Sequence, residues 1–493
     1  MTGPPLEEAD LRCGAWTWLC SRTGMLFLFT VLLFAALIPA GYIDSVDAGS
    51  RIAQAEAIVW HGTLDVATTF SEGELARPPM GWVKGSGGRY WSQYGLGMPL
   101  LWALPVALAG VVAGVTGFSR DLLAGAVVSS LNVFVSAAIL ASVYRMTRSA
   151  WGDRRAAVLS AISLLAGSTL LPYANGCFSE PAAALAVLWT GWFATVGRRV
   201  RWSDAWCGLT IWGAYLLKPE MALLGIPVVL AELPDVRRSL RTGAVALGAV
   251  ALTELTLWGI RGSIVTAAYG ANAGLFGSPI AGLAGYFLGL EKNAFLFFPV
   301  LVPALAGWWL AGGKEGPVLL RRFVIAAWLV FLPLYSSSSW WFGGQAFGPR
   351  FLLVLVPVTA LAAGPAISAL LDRLEPWRAG RTALLVALAC LASGALLFQV
   401  AGMSVRDHQA DTIAREVMKP AWWVKIRLLE LKVRRGIGGA EVYRVSDFSD
   451  FGRGQGARGD TVIDHSAYRT YQGLNHWWWL AMANRKHGRG LGL

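Results

Sequence analysis

Charged side chains are scarce in this sequence. Only 15% of the 493 residues are Asp, Glu, Lys or Arg, while 55% are hydrophobic. Soluble domains carry about 25% charged residues, so this composition excludes an ordinary soluble domain. Apolar runs of about 18 or more residues, the length a helix needs to cross a bilayer, recur along most of the chain. Because backbone groups in lipid must pair within their own segment, the sequence predicts an all-α polytopic membrane protein.

Other absences narrow the class further. There are no segments of about ten residues with alternating hydrophobicity, which excludes a membrane β-barrel. The five cysteines are scattered without metal-type spacing, so neither a cysteine metal site nor a disulfide is expected. A P-loop and a glycine-rich fingerprint after a strand are both missing, which argues against a cytoplasmic nucleotide donor. We also find no inverted repeat of the kind common in transporters.

The positive charge of the chain, +12 in total, is concentrated in loops. Such a charge on a soluble protein would suggest nucleic acid, but here it fits the basic cytoplasmic loops of an inner-membrane protein, and no nucleic-acid partner is expected. The basic loops are 144–155, 198–201, 232–241, 312–322 and 372–381. Placing them in the cytoplasm leaves the following segments on the periplasmic or extracellular face: 42–95, 172–180, 218–220, 261–293 and 336–350.

The hydropathy pattern predicts about 11–13 transmembrane helices within a transmembrane domain, residues 1–400. One apolar run, 205–231, is interrupted by Lys218-Pro219-Glu220, and proline suits a break there. The other predicted spans lie near 25–41, 97–116, 122–143, 156–171, 181–197, 243–260, 294–311, 323–335, 351–371 and 382–400.

Two parts of this topology stay open. Two spans lie between outer loop 42–95 and inner loop 144–155, but a chain that passes from the outer face to the cytoplasm must cross the membrane an odd number of times. Either one of them does not cross fully or a segment has been missed. Residues 401–493 form a small extracytoplasmic or interfacial region, in which 409–436 is either a basic amphipathic helix on the membrane or part of a small outer domain.

Two acidic residues, Asp44 and Asp47, follow the first span in the first outer loop. The stretch 48–60 places Ile52, Ala55 and Val59 on one helical face, which predicts a helix lying on the membrane surface. Asp47 could simply cap this helix, and Asp44 could be a solvated loop residue. Yet Asp44 lies at a helix C-terminus, where the dipole disfavours an anion, so we expect at least one of the pair to be functional.

Further polar residues fall on the same outer face. Glu180 begins a span after Ser179, where capping is the alternative role, and Lys218 and Glu220 could be a local pair at headgroup depth. Lys292 follows the short apolar stretch 279–290, which predicts a re-entrant or interfacial turn that aims Lys292 inward. The candidate substrate-binding residues are Arg89, Tyr94, Glu180, Lys218, Glu220, Lys292, Trp340, Trp341 and Arg350.

The strongest local signal is the segment Trp340-Trp-Phe-Gly-Gly-Gln-Ala-Phe-Gly-Pro-Arg350. Its glycines permit close approach of the backbone to a ligand. A guanidinium such as that of Arg350 pairs bidentately with phosphate. The alternative is an aromatic anchor loop, just as Arg89 and Tyr94 could belong to an aromatic belt rather than to the rim of a cavity.

Together these residues resemble the membrane-embedded GT-C glycosyltransferases, in particular bacterial proteins of the protein-mannosyltransferase and aminoarabinose-transferase type. The resemblance covers roughly residues 25–400. It rests on four places in the chain. The first is the pair Asp44 and Asp47, followed by a helix that ends at Trp60-His-Gly-Thr-Leu-Asp65, and the second is Arg89-Tyr-Trp-Ser-Gln-Tyr-Gly-Leu-Gly-Met-Pro-Leu100. The third is Lys218-Pro-Glu220, and the fourth is Trp340-Trp-Phe-Gly-Gly-Gln-Ala-Phe-Gly-Pro-Arg-Phe-Leu352. The ending with Tyr471-Gln-Gly-Leu-Asn-His-Trp-Trp-Trp is also similar to that of some of these bacterial proteins.

The resemblance implies an inverting transfer of a sugar from a polyprenyl-phosphate carrier to a glycan, lipid or protein acceptor, on the outer face of a bacterial inner membrane. An acidic residue of the first outer loop serves the family as base or site organiser, a role that falls to Asp47 first and to Asp44 as the alternative. Aminoarabinose-type members typically carry a paired Asp-Glu there, whereas this chain has Asp-Ser-Val-Asp. Lys218, Lys292 and Arg350 would hold the carrier phosphate.

No metal is required for this chemistry, although the carboxylates Asp44, Asp47, Glu180 and Glu220 could hold a divalent ion through oxygen. Two other functions remain open. A transporter or flippase of a lipid-linked glycan would carry charges deep within its spans, whereas the charges here cluster at helix ends. A glycan ligase or polymerase would use a diphosphate-linked donor.

Overall fold

The computed structural model of the chain describes residues 21–37, 42–43, 46–69, 82–84, 88–92, 94–118, 120–174, 176–233, 235–261, 277–289, 292–310, 315–338, 341, 347–404 and 471–472. Nearly all of these residues are helical. The prediction of an all-α polytopic membrane protein is confirmed. The division at residue 400 stays a prediction, because most of 401–493 lies outside the described residues.

The α-helices, in chain order, are α1 (Arg22–Leu37), α2 (Val46–His61), α3 (Gly97–Thr116), α4 (Arg120–Trp151), α5 (Arg154–Ala166), α6 (Leu170–Ala174), α7 (Glu180–Ala194), α8 (Ser203–Leu217), α9 (Gly225–Glu232), α10 (Val236–Arg261), α11 (Pro279–Phe287), α12 (Ala294–Phe297), α13 (Leu301–Leu310), α14 (Glu315–Ser337), α15 (Val356–Ala360), α16 (Ala363–Arg373) and α17 (Arg378–Ser404). Short 3₁₀ helices cover Val66–Thr69, Val196–Arg199, Pro219–Leu224 and Arg350–Leu355.

Two small antiparallel ribbons complete the described fold. Strands β2 (Trp82–Lys84) and β3 (Tyr90–Ser92) pair with Val83 opposite Trp91. Strand β1 (Tyr42–Ile43) pairs with β4 (Tyr471–Gln472), so that Ile43 lies opposite Tyr471. The second pairing brings a segment near the end of the chain beside the first outer loop.

Ion pairs connect the basic loops, which lie at one end of the helices, here called the basic end. Arg155 on α5 pairs with Asp372 on α16 at 2.7 Å, and Arg198 pairs with Glu315 at 2.8 Å. Arg238 joins this end through a 2.7 Å contact with Glu232. The opposite end, which contains residues 176–180, 218–220 and 347–350, is called the site end. The predicted separation of basic loops from the candidate site thus appears as two ends of one bundle.

Within the described residues, five helices are long and apolar enough to cross a membrane individually, and the pair Arg350–Ala360 and Ala363–Arg373, bent by 50°, would be a sixth span if it crosses as one. This is fewer than the 11–13 single helices predicted from hydropathy. The physical reason is that other passages are short or broken. Pro299, for example, separates α12 from α13, and the run after Lys218 is divided between a 3₁₀ helix and α9.

The position of helix α3 explains why two spans were counted before residue 144, where an odd number is required. Its start abuts the end of α8, since a Cβ on Gly97 would lie 2.8 Å from the carbonyl carbon of Leu216. The next helix, α4, reaches the site end at Asn132, whose side chain bonds the backbone at 176 and 178. From Asn132 to Trp151 is about 29 Å of helix, one membrane thickness. We therefore expect α4 to cross the membrane once and α3 to lie on the site side, although α3 is apolar enough to span.

Helix α2 is the predicted helix of the first outer loop, but its surroundings differ from the prediction. Every residue from 50 to 57 is buried, including Ile52 and Ala55, which belong to the main core. The helix packs along α3 and against β3 instead of resting its apolar face on lipid. The apolar face of α2 therefore packs on the protein core, and the position of the helix at the membrane surface stays a prediction. A hydropathy pattern shows which face is apolar, but it does not show what covers the polar face.

Several helix ends also extend beyond the predicted spans. Arg145 and Arg148, predicted in a loop, lie on the last turns of α4, and Arg237, Arg238 and Arg241 lie on the first turns of α10. Long basic side chains can remain in a helix while their charged ends reach the interface. The charge pattern thus indicates which end of each helix is basic, but it does not indicate the residue at which the helix begins or ends.

The placement of α3 makes a testable prediction. In a chain whose native cysteines are replaced by serine, Thr116→Cys at the exposed end of α3 should react with a membrane-impermeant maleimide from the same side as Arg89→Cys. Glu375→Cys, exposed at the basic end, is the matched control and should react only from the opposite side. Labelling of Thr116→Cys together with Glu375→Cys would mean that α3 crosses the membrane.

Candidate functional site

Glu180, the first residue of α7, lies at the centre of a buried group of charges. It is 3% exposed. Its Oε1 atom is 3.2 Å from Nζ of Lys218 and 3.7 Å from Nε of Arg350. Lys218 also approaches Oε1 of Glu220 at 3.7 Å. These four residues, here called the Glu180 cluster, come from three segments remote in sequence.

A helix break places Lys218. Helix α8 ends at Leu217, Lys218 is extended (φ −148°, ψ 110°), and Pro219 begins the following 3₁₀ helix. Proline disfavours a helical conformation in the residue before it, so the break follows directly from the sequence. The Lys218 side chain is 9% exposed, a depth at which an ammonium group needs an anionic partner.

A glycine places Arg350. Gly348 has φ +69°, and a Cβ there would lie 2.6 Å from the ring of Phe297. Only glycine fits this backbone at no steric cost. The chain turns here, and Arg350 then begins the 3₁₀ helix that leads to α15.

Aromatic rings line the cations of the cluster. The Arg350 guanidinium lies 4.9 Å from the ring centroid of Phe351 and 5.5 Å from that of Phe178. Nζ of Lys218 lies 4.8 Å from the same Phe351 ring. Cations over aromatic faces gain about 0.5–2 kcal/mol, more when they are desolvated. These rings thus stabilise positive charge where water is largely excluded.

Backbone contacts join the segments that carry the cluster. Asn132 donates from Nδ2 to the carbonyls of Gly176 (2.5 Å) and Phe178 (2.9 Å). The hydroxyl of Tyr173 donates to the carbonyl of Phe347 at 3.0 Å. The approach to α7 and the approach to Arg350 are therefore held together just before their charged residues.

Arg51 on α2 is a member of this region that the sequence did not reveal. Its Nη2 donates to Oγ of Ser179 at 3.3 Å, and its guanidinium lies 4.7 Å from the ring centroid of Tyr94. Arg51 is 4% exposed. Ser179 makes no side-chain capping bond to α7, so the capping role considered for it is wrong. A cation one turn after Asp47 was the available signal, but its burial depends on tertiary packing.

Lys292 and Trp341 also lie at the site end, as predicted. Lys292 donates from Nζ to the carbonyl of Gly348 at 3.2 Å, two residues before Arg350. The Tyr286 hydroxyl of α11 donates to the carbonyl of Trp341 at 2.6 Å, and the two rings meet edge to face. The predicted inward turn at Lys292 is thus observed, and α11 is the short helix before it.

Other predicted residues are less closely placed. Arg89 is exposed and lies 5.7 Å from the ring of Trp91; in the described part of the chain no ion pair joins it to the Glu180 cluster. Asp44 and Trp340 lie outside the described residues. Asp47 is within α2, one turn before Arg51, but its side chain is not among those described.

The described charges of the site do not cancel. Arg51, Lys218, Lys292 and Arg350 are cations, whereas Glu180 and Glu220 are the anions in the described contacts of the site, so positive charge is in excess among these contacts. Burying an uncompensated charge is costly, so this arrangement suits an anionic ligand. No three Asp, Glu, His or Cys side chains within the described residues come together as a metal site.

Cys177, next to this region, does not supply a nucleophile. Burial raises the pKa of its thiol to about 12, although the positive charge of Arg51 opposes the shift. The thiolate is the reactive form of cysteine, and it is almost unpopulated at neutral pH with such a pKa. The chemistry of the site therefore depends on its carboxylates and cations.

No protein-family model matches the chain, and no curated protein matches it either. Among solved structures it is similar to apo ArnT from Cupriavidus metallidurans, with 15% identity and a TM-score of 0.49, over 86% of this chain and 73% of that one. It is also similar to the same protein bound to undecaprenyl phosphate, with 14% identity and a TM-score of 0.48, over 76% of this chain and 64% of that one. A third similar structure is the apo Archaeoglobus fulgidus oligosaccharyltransferase, with 14% identity and a TM-score of 0.45, over 79% of this chain and 56% of that one.

The chain thus spans 64% and 56% of the length of the latter two structures. At 14–15% identity these likenesses concern the course of the backbone alone, and the site has to be judged from its own residues.

The buried position of Glu180 predicts a large effect of neutralising it. Glu180→Gln leaves Lys218 and Arg350 without their shared anion, so the free energy of unfolding should fall by about 3 kcal/mol. The matched control is Glu315→Gln, which removes a half-exposed partner of Arg198 and should cost less than about 1 kcal/mol. Denaturant unfolding in detergent, followed by tryptophan fluorescence, measures both. Equal effects would contradict the central role of Glu180.

Proposed function

We propose that the protein is an inverting glycosyltransferase that moves a sugar from a polyprenyl-phosphate carrier to a glycan, lipid or protein acceptor on the outer face of a bacterial inner membrane. The observation that carries this proposal is the convergence of Arg51, Lys218 and Arg350 on the surroundings of Glu180 at one end of the helices. A buried excess of positive charge at the end of a membrane bundle suits an anionic lipid headgroup.

The chemistry of such a donor matches the two sides of this site. Its phosphate is anionic and fits cations that are already oriented by fixed partners, as Lys218 and Arg350 are. Its polyprenyl tail is apolar and fits the lipid-facing surfaces of neighbouring helices, where residues such as Leu104 and Leu223 are exposed. Lys292, which contacts the backbone beside Arg350, is a further phosphate ligand in this proposal.

In the proposed reaction, an acceptor hydroxyl attacks the anomeric carbon of the sugar. The new bond joins the acceptor oxygen to that carbon, and the bond to the phosphate oxygen breaks, so the configuration inverts. The electron pair stays on the departing polyprenyl phosphate. Cations fixed at this position stabilise the transition state more than the ground state, because negative charge grows on the phosphate as the bond breaks.

The acceptor proton goes to an Asp of the first outer loop, with Asp47 as the first choice and Asp44 as the alternative. The position of Asp47 in α2, one turn from Arg51, supports this choice. General base catalysis of this kind contributes roughly 10²–10⁴ in rate. Trp340 and Trp341 would exclude water from the sugar, while Arg89 and Tyr94 would form the rim. The chain's own side chains carry each of these steps, and the proposal invokes no metal.

The similar solved structures include ligands of the proposed class. One ArnT structure is described as bound to undecaprenyl phosphate, and one Archaeoglobus fulgidus oligosaccharyltransferase structure as a complex with an inhibitory peptide and a dolichol-phosphate. Those ligands belong to those proteins. For this chain, a carrier of the same type is part of the proposal.

The test uses the full chain in nanodiscs with a panel of undecaprenyl-phosphate sugars and an envelope fraction as acceptor pool. Mass spectrometry of released undecaprenyl phosphate reports turnover whatever the acceptor is. Asp47→Asn should lower kcat by about 10²–10⁴ with donor affinity nearly unchanged, because it removes only the base. Arg350→Gln should lower both kcat and donor affinity, with Arg350→Lys in between.

Arg120→Gln is the matched control, because Arg120 is exposed and stacks on Trp60 away from the Glu180 cluster. It should leave turnover unchanged. Release of carrier only from diphosphate-linked oligosaccharides would favour a ligase or polymerase. Movement of the glycolipid across the bilayer without sugar transfer would favour a flippase. Either result contradicts the proposed reaction.

A further inference from the structure

Arg51 differs from the other cations of the site in how its hydrogen bonds are used. A guanidinium has five N–H donors. One from Nη2 bonds Ser179, while Nε and Nη1 are buried and have no hydrogen-bond partner within the described part of the chain. Buried polar groups are normally satisfied, so three unused N–H groups on a residue that is 4% exposed require an explanation.

Gln54, three residues further along α2, has the same property. It is fully buried, and neither its Nε2 nor its Oε1 has a partner within the described residues. Residues three apart lie on the same side of a helix. Helix α2 therefore carries two neighbouring polar side chains whose hydrogen-bonding capacity is available inside the protein.

Arg238 at the basic end shows what a purely structural buried arginine looks like in this chain. It donates from Nε to Glu232 at 2.7 Å, from Nη1 to the carbonyl of Arg198 at 2.9 Å, and from Nη2 to the carbonyl of Phe193 at 2.7 Å. All three of its nitrogens have acceptors. The same chain that satisfies Arg238 leaves Arg51 with donors to spare.

The Glu180 cluster is, by contrast, balanced within itself. Lys218 and Arg350 supply two positive charges, and Glu180 and Glu220 supply two negative ones. Arg51, in contrast, forms no ion pair with a carboxylate among the described residues, and this makes the burial of its charge costly. An arginine stays charged under any physiological condition, so it cannot lower this cost by losing a proton.

We infer that Arg51 and Gln54 form a second oxyanion subsite on α2, which holds a phosphate or carboxylate group of a substrate beside the Glu180 cluster. The inference rests on the proposed function, because it assigns this group to the acceptor of the transferred sugar. An oxyanion can pair with Nη2 and a neighbouring nitrogen of Arg51 together, the bidentate geometry that guanidinium favours. The Gln54 amide can donate to it or bond a sugar hydroxyl.

Two sources share this chemistry. The group belongs to the acceptor and is either a phosphate, on a lipid or diphosphate-linked glycan acceptor, or a carboxylate, on an acidic glycan acceptor. The position supports both, because Ser179, which Arg51 contacts, directly precedes Glu180 in the chain. The probes of the test therefore distinguish them.

The experiment measures equilibrium binding to the full chain in nanodiscs. The probes are undecaprenyl phosphate, undecaprenyl diphosphate and a hyaluronan tetrasaccharide, which carries carboxylates. Arg51→Gln should weaken binding of either the diphosphate or the acidic tetrasaccharide by at least about tenfold more than it weakens binding of undecaprenyl phosphate. Arg51→Lys should recover only part of the loss, since it keeps the charge without the planar donors.

The outcomes separate the two proposals. Loss of diphosphate binding identifies a phosphate-bearing acceptor as the source, and loss of tetrasaccharide binding identifies a carboxylate-bearing acceptor. If Arg51→Gln changes none of the probes, or weakens all three equally, the second subsite does not exist. Failure of the wild-type chain to bind undecaprenyl phosphate contradicts the proposed function instead, and the tetrasaccharide and diphosphate arms still report on Arg51.

A stability measurement guards against a purely structural role. Because Arg51 is buried and forms no ion pair within the part of the chain that the structure describes, replacing it by Met should raise the melting temperature of the ligand-free chain. The exposed Arg120→Gln should leave that temperature unchanged. A fall in melting temperature for Arg51→Met would show that Arg51 supports the fold, and would overturn the subsite.

Discussion

The buried carboxylate of Glu180 is the constraint on which the site end depends. An ionised carboxylate away from water needs cations at hydrogen-bonding distance, and Glu180 obtains them from Lys218 and Arg350. Neither cation lies in the middle of a regular α-helix. Lys218 follows the end of α8, and Arg350 follows a glycine in a positive-φ conformation. The helix breaks and the charge pairing therefore support each other, since each would be unfavourable alone.

The two ends of the bundle use charge differently. At the basic end, arginines such as Arg155 and Arg238 pair across neighbouring helices, and Arg238 has an acceptor for each nitrogen. At the site end the cations lie on aromatic faces, share few carboxylates, and leave donors on Arg51 unused. Stability alone favours the first arrangement. The second sacrifices stability at one place, which is the expected property of a site that binds an anion and stabilises developing charge.

Several site residues could be recognised from the sequence because they break a local rule. Lys218-Pro219-Glu220 interrupts an apolar run, and Arg350 is a cation in an outward loop, so each is conspicuous without a structure. Arg51 breaks no such rule, since an arginine in a helix of mixed composition is ordinary. Its importance comes from α3 and the segment before α7, which enclose it. For the same reason, the sequence did not show that the apolar face of α2 packs on the protein core.

The sequence by itself determined that the chain is a helical membrane protein, which ends of its helices are basic, and where the apolar runs are interrupted. These are local properties, because they follow from the hydropathy, charge and backbone preferences of each segment. Only the tertiary structure decided that the start of α3 abuts the end of α8, that α2 is buried, and that Arg51 lies beside Ser179 and Glu180. Those outcomes depend on which helices pack together. The sequence of a single segment does not show which side chains, remote in the chain, will lie next to it.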